Sequence, residues 1–235
     1  MKAILFDIDD TLYDMTQPFV RAYQDLFAEK YEYPAEAVFK SSRKYSDEVY
    51  AKSMSGEISM QEMYIYRIRR AMEDFGTTVS EQEALRFQEV YETYQHEITM
   101  SDTMKDLLEF CSRKVQTGII TNGPSAHQWD KVQALGVLQW IDREHVFVSA
   151  DVGIPKPERG IFDFACEKMN LRQEEVWYIG DSYENDVLGA KGAGLCAVWM
   201  NRRKHPVPAD SQADACVTTE EELRMLIEGA LKAQR

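Results

Sequence analysis

Short apolar runs recur along this chain, each closed by acidic or turn-forming residues: Lys2 to Phe6, Val115 to Thr121, Val146 to Ser149, Val176 to Ile179 and Cys196 to Met200. Runs so short and so continuously apolar read as buried parallel strands, because a strand with one wet face would alternate. Most are followed by a helical pattern. Strands alternating with helices imply right-handed crossovers, and hence an α/β fold built on a doubly wound parallel sheet. In such sheets ligands bind beyond the carboxyl ends of the strands.

Between Thr16 and roughly Gln95 the texture changes. No strand-like run occurs there, but Ser59-x-x-Glu62 and Ser80-x-x-Glu83 both match the capping box that starts helices. Apolar residues recur at helical spacing around Phe19, Tyr23, Leu26 and Phe27, and again through Met60, Met63, Tyr64, Arg67, Ile68 and Met72. The simplest organisation is a helical insert over 16–96, placed after the first strand, in a core formed by 1–15 and 97–235. Thr219-x-x-Glu222 opens one more helix, with Leu223, Leu226, Ile227 and Leu231 on its apolar face. The segment from Arg202 to Ala209 reads as an exposed loop.

Composition narrows the choice of partner. The chain of 235 residues carries 40 acidic and 27 basic side chains, a formal net charge of −13. Nucleic-acid affinity comes largely from clustered Lys and Arg, so a nucleic-acid polymer is a poor candidate partner. A small phosphorylated ligand is not excluded, since one lysine and one metal ion can hold it locally. Cys111, Cys166, Cys196 and Cys216 are widely spaced in apolar surroundings and form no CxxC pair; they are expected to be reduced core thiols. The apolar run at the N-terminus meets Asp7 too soon to be a signal peptide or a membrane span, and a cytoplasmic protein with no membrane partner is expected. His96, His127, His145 and His205 are scattered and belong to no motif.

Four motifs stand at or just after strand ends. In Asp7-Ile8-Asp9-Asp10-Thr11, residues i and i+2 of an extended chain point the same way, so Asp7 and Asp9 can converge. Carboxylates so close repel one another unless a cation or hydrogen bonds compensate. Thr121-Asn122-Gly123 offers a hydroxyl, main-chain N–H groups and a helix start, the ingredients of an anion cradle. Pro155-Lys156-Pro157 holds a lysine on a stiffened backbone. In Gly180-Asp181-Ser182-Tyr183-Glu184-Asn185-Asp186, two carboxylates five residues apart at a helix entry can share a hard cation. Taken singly, each has a plain structural explanation as a turn or an acidic helix start. Their order and placement make a coincidence of four such turns improbable.

Together the four motifs resemble those of the haloacid dehalogenase-like hydrolase superfamily, in its phosphatase branch, and the resemblance covers the whole chain. The helical insert looks like the C1-type cap of that family. The resemblance implies a Mg²⁺-dependent phosphatase acting on a small phosphomonoester. Asp7 would be the nucleophile that becomes an aspartyl-phosphate, and Asp9 the general acid and base, which calls for an environment that raises its pKa. Asp7, Asp181 and the main-chain carbonyl of Asp9 would hold the metal, with Asp186 joining directly or through water. Thr121 and Asn122 match the phosphate-binding element, and Lys156 the lysine that balances developing charge. Asp10 is assigned to local hydrogen bonding. Tyr13 and Tyr183 lie beside the motifs as possible substrate contacts.

Members that act on carbon–halogen bonds lack an acid/base Asp at the position of Asp9, which favours phosphoryl transfer here. Two rival readings stay open at the level of sequence. One is a phosphotransferase or mutase that passes the group to a sugar hydroxyl. The other is a regulatory domain that accepts phosphate on aspartate, as response regulators do, although those lack so long an insert. Nucleoside monophosphates are the first expectation for the substrate; flavin mononucleotide, sugar phosphates and phosphoglycolate are alternatives. No surface pattern fixes an oligomeric state.

Overall fold

The computed structural model describes residues 1–233. Its contacts divide the chain into two units, Met1–Asp14 with Thr99–Arg235, and Met15–Ile98. The first is a parallel α/β domain. Its strands are β1 (Ala3–Phe6), β2 (Gln116–Thr121), β3 (Val146–Val148), β4 (Val176–Gly180), β5 (Cys196–Met200) and β6 (Ala215–Val217). They form one six-stranded sheet in the order β3-β2-β1-β4-β5-β6, and every pairing is parallel.

β1 is the hinge of this order. The chain winds from it through β2 to β3 on one side, and through β4 to β6 on the other. A reversal of winding leaves a crevice at the carboxyl end of the strand where it occurs, because the crossovers on the two sides diverge there. Ala3, Ile4, Leu5 and Phe6 are all fully buried, which is why β1 reads as an unbroken apolar run with no alternation. One face of the sheet packs Leu5, Ile120, Phe147 and Tyr178 against Ile161, Phe162, Ala165 and Val187.

β6 has no counterpart among the apolar runs of the sequence. It is three residues long, lies at the sheet edge, and its central Cys216 is exposed. A strand so short carries almost no pattern. Cys216 and the half-buried Cys196 therefore depart from the expectation of core thiols, whereas Cys111 and Cys166 are buried; all four are free. The expected exposed loop after β5 is also only partly so. Arg202 and Arg203 turn inward, Arg203 donating from Nε to Asp10 at 2.6 Å and also reaching Asp14, while Arg202 pairs with Glu220 at 2.8 Å. Glu220 opens the last helix (Glu220–Lys232), whose N-cap Thr219 accepts from the Glu222 N–H.

The second unit holds α1 (Thr16–Leu26), α2 (Ala35–Met54), α3 (Met60–Glu73) and α4 (Glu81–Gln95). Both capping boxes form: the side chains of Ser59 and Ser80 accept from the N–H of Glu62 and Glu83, and the two glutamates reach back to the serine N–H groups. An aromatic cluster fills its core, with the Phe19 ring edge-on to Phe39, Phe87 and Tyr91 at centroid distances of 5.3, 4.9 and 5.8 Å. Edge-to-face packing of this kind adds to the apolar area buried. No helix among the described residues is long and apolar enough to cross a membrane.

Candidate active site

The four motifs occupy adjacent strand ends. The Asp7 N–H continues the ladder by donating to the Ile179 carbonyl at 2.8 Å, so Asp7 leaves β1 beside the end of β4, where Gly180 and Asp181 stand. Asp7, Asp181 and Asp186 each place a carboxylate oxygen within 4.8 Å of the others. Asp7 and Asp186 are buried, and Asp181 is half-buried. Asp186 belongs to a single π-helical turn, Tyr183–Leu188, and the Ser182 N–H donates to its Oδ2 at 2.8 Å. The fit of this turn depends on Gly180: a β-carbon there would lie 2.5 Å or less from the carboxyl group of Asp186.

Lys156 enters the cluster from the loop after β3. Its Nζ lies 2.7 Å from Asp7, 2.6 Å from Asp186 and 2.9 Å from the Tyr178 hydroxyl, all of them buried. The side chain of Asn122 holds that loop: Nδ2 donates to the Lys156 carbonyl and Oδ1 accepts from the Lys156 N–H, both at 2.9 Å. The Asn122 side-chain amide is thus engaged in placing Lys156. Gly123 turns the chain at φ +149°, a conformation that favours glycine, and its N–H donates to Ser149 Oγ at 3.1 Å. The Thr121 hydroxyl, buried at the end of β2, donates to Gln128 Oε1 at 3.2 Å.

Charge is not balanced here. Burial pushes the Asp7 carboxyl up to about 7; the Lys156 ammonium opposes the rise, while Asp186 and Asp9 add to it. Asp181 is likewise held well above the carboxylate range, first by burial and then by Asp186 and Asp7. Burial alone would lower Lys156, but Asp186 and Asp7 hold it firmly protonated. Three carboxylates around one ammonium are the donor set of a hard divalent cation, which takes oxygen ligands and supplies the missing positive charge. The residues fit such an ion.

Asp9 differs from the expectation. Burial would raise its pKa, yet the carboxyl falls to about 2, because the Lys131 ammonium sits on it, with further hydrogen bonds from Tyr13 and Gln128. Lys131 Nζ is 2.7 Å from Oδ1 and 2.6 Å from Oδ2, and the Tyr13 hydroxyl donates to Oδ1 at 2.7 Å. Asp7 and Asp9 are therefore drawn to different lysines. Tyr13, a possible substrate contact by sequence, is buried against Asp9; Tyr183 packs on Trp199 with centroids 5.0 Å apart and accepts from the Gln212 N–H. Asp10 adopts φ +58° and is gripped by Arg203. Lys131, Gln128 and Arg203 are absent from the sequence-level motifs. Two polar residues three apart within a buried stripe of a helix were the available signal for the first pair.

Away from this cluster, a cavity of about 700 Å³ lined by Lys2, Arg113, Trp140 and His145 opens by the amino-terminal ends of β1 and β2. It lies at the other end of the sheet from the motifs.

Comparison with known proteins agrees with this geometry. A family model described as haloacid dehalogenase-like hydrolase matches residues 1–194. A glyceraldehyde 3-phosphate phosphatase of Pyrococcus furiosus is 27% identical over 205 residues, covering 87% of this chain and 82% of its own. A pyrimidine 5'-nucleotidase of Escherichia coli is 34% identical over 122 residues, about half of each chain (52% and 53%). Among solved structures, a HAD phosphatase from Thermococcus onnurineus superposes with a TM-score of 0.62, at 28% identity, covering 97% of this chain and 99% of that one.

Proposed function

This chain belongs to the haloacid dehalogenase-like hydrolase family, and we propose that it is a Mg²⁺-dependent phosphatase that hydrolyses a small phosphomonoester through a phosphorylated Asp7. The observation that carries the reading is the convergence of Asp7, Asp181, Asp186 and Lys156 at the switch point of the sheet. Relatives named as phosphatases of a triose phosphate and of pyrimidine nucleotides support the hydrolase over a purely phosphate-accepting regulatory domain. A nucleoside monophosphate or a similar metabolite is the substrate class, and the four-helix unit serves as the C1-type cap.

Asp7, Asp181 and Asp186 would hold the metal through their carboxylates and Asp9 through its main-chain carbonyl, since its side chain is taken up by Lys131. The bound ion would neutralise the carboxylates and the phosphoryl oxygens. An oxygen of Asp7 attacks phosphorus in line, the P–O bond to the leaving group breaks, and Asp9 delivers a proton to the departing oxygen. Water then attacks the phosphorylated Asp7, gives its proton to Asp9, and frees phosphate. Lys156 steadies the charge on Asp7 and on the transferring group; one such contact is typically worth about 3 kcal/mol in the transition state. Asp9 starts out ionised, so the first step requires that it take up a proton when a phosphoryl dianion stands beside it. A nearby like charge favours the neutral acid.

Asp7→Asn should reduce phosphate release from p-nitrophenyl phosphate with Mg²⁺ to background while leaving the circular dichroism spectrum unchanged. Full activity in that variant would refute the nucleophile. A panel of phosphorylated metabolites, with and without a sugar acceptor, separates hydrolysis from phosphotransfer: brisk phosphate release with no acceptor present rules out the obligate transferase.

A further inference from the structure

The helix after β2, Ser125–Leu135, carries its buried residues at Gln128, Lys131, Val132 and Leu135, the i, i+3, i+4, i+7 stripe of an amphipathic helix. Two of these four are polar. Lys131 is 3% exposed and Gln128 2%. A lysine is almost never buried so completely without a specific partner, because stripping water from an ammonium costs more than packing its methylenes returns. Its partner is Asp9, held at both oxygens. Gln128 links that carboxylate to the neighbouring strand end: its Nε2 donates to the Asn122 carbonyl at 3.0 Å and lies 3.3 Å from Asp9 Oδ2, while its Oε1 accepts from the Thr121 hydroxyl. With the Tyr13 hydroxyl on Oδ1, the plane of the Asp9 carboxylate is determined from three directions. Asp7 and Asp186 have their own lysine in Lys156, so Lys131 is dedicated to Asp9.

We propose that Lys131 is a positioning residue for proton transfer by Asp9: it sets the orientation from which that carboxyl group meets the oxygen leaving phosphorus. This rests on the phosphatase reading above. Proton delivery is sensitive to direction and distance, and misplacing a catalytic group by an ångström is enough to slow a step about a hundredfold. Lys131 does not touch the reacting atoms. It acts by holding the group that does.

The test uses the full chain with Mg²⁺ and two substrates of similar shape, p-nitrophenyl phosphate and phenyl phosphate. Nitrophenolate departs readily without a proton; phenolate does not. Lys131→Met should lower kcat/KM on phenyl phosphate by about 10- to 100-fold, no more than acid catalysis as a whole contributes, and leave p-nitrophenyl phosphate within a few-fold of wild type. Lys131→Arg should restore part of the loss. In an Asp9→Asn background, Lys131→Met should cost nothing more, because the group it positions is already disabled. Should Lys131→Met fail to fold, Lys131→Arg carries the test alone, as a smaller loss with the same leaving-group dependence.

An equal loss on both substrates, a gain in rate, or a further loss on top of Asp9→Asn would overturn the proposal and leave the phosphatase reading standing. A wild-type enzyme that hydrolyses neither ester would instead remove the phosphatase reading, and this proposal with it.

Discussion

Two lysines divide the carboxylates of this site between them, Lys156 taking Asp7 and Asp186 and Lys131 taking Asp9. Lys156 is buried against Asp7 and Asp186, and Asp186 can stand where it does only because Gly180 has no side chain. Gly180→Ala would place a β-carbon 2.3 Å from the Asp186 carboxyl carbon, so the acid must swing away. Displacing a metal ligand or its support typically weakens metal affinity by roughly 10- to 100-fold. A Mg²⁺ titration of p-nitrophenyl phosphatase activity should show the half-saturating concentration rising by that order. An unchanged titration curve would mean that Asp186 is not needed for the metal. Lys131, by contrast, could not have been assigned to Asp9 from residue type alone, since the two are 122 positions apart.

At the scale of elements, the helix starts carry the most local information. Ser80 caps α4, and Glu83 closes the box while also pairing with Lys30 at 2.9 Å. The Lys30 hydrogen bond, followed by those from the Ser80 N–H and hydroxyl, pulls the Glu83 carboxyl down to about 2. A carboxylate lowered on folding contributes stability that is fully present above the pKa of the unfolded chain, near 4.5, and is lost as pH falls toward 2. Glu83→Gln should therefore be less stable than wild type to urea at pH 7, with the difference closing as the pH is lowered through that window. Ser80→Ala should cost about 1 kcal/mol at neutral pH, the usual worth of an N-cap side chain. A difference for Glu83→Gln that persists undiminished at low pH would show that its ionisation is not what stabilises the helix.

For the whole molecule, the cluster at the switch point holds more negative charge than Lys156 offsets, in a chain whose formal net charge is already −13. A cation bound only by the folded state stabilises it by mass action, about 2.7 kcal/mol at a hundred times Kd. For a chain of this size that corresponds to an unfolding temperature raised by roughly 5–10 °C. Mg²⁺ should produce such a rise in the wild type, and Asp181→Asn should abolish most of it. An equal rise in both proteins would place the ion elsewhere.

The α/β class and five of the six strands are legible in the amino-acid pattern alone. So are the capping boxes at Ser59 and Ser80 and the motif residues at strand ends, because hydrophobic period, helix capping and turn chemistry are local properties that a few neighbouring residues express. How the charges pair emerges only in the folded chain. Lys131, from a later helix, holds Asp9 ionised where the motif calls for a raised pKa; the Asn122 side-chain amide anchors the Lys156 loop; and Arg203, in a segment whose composition reads as an exposed loop, grips Asp10. Electrostatic pairing acts through space between residues that the chain keeps far apart, and β6 at the sheet edge leaves no local signature for a related reason, its three residues being a strand only through their pairing with β5.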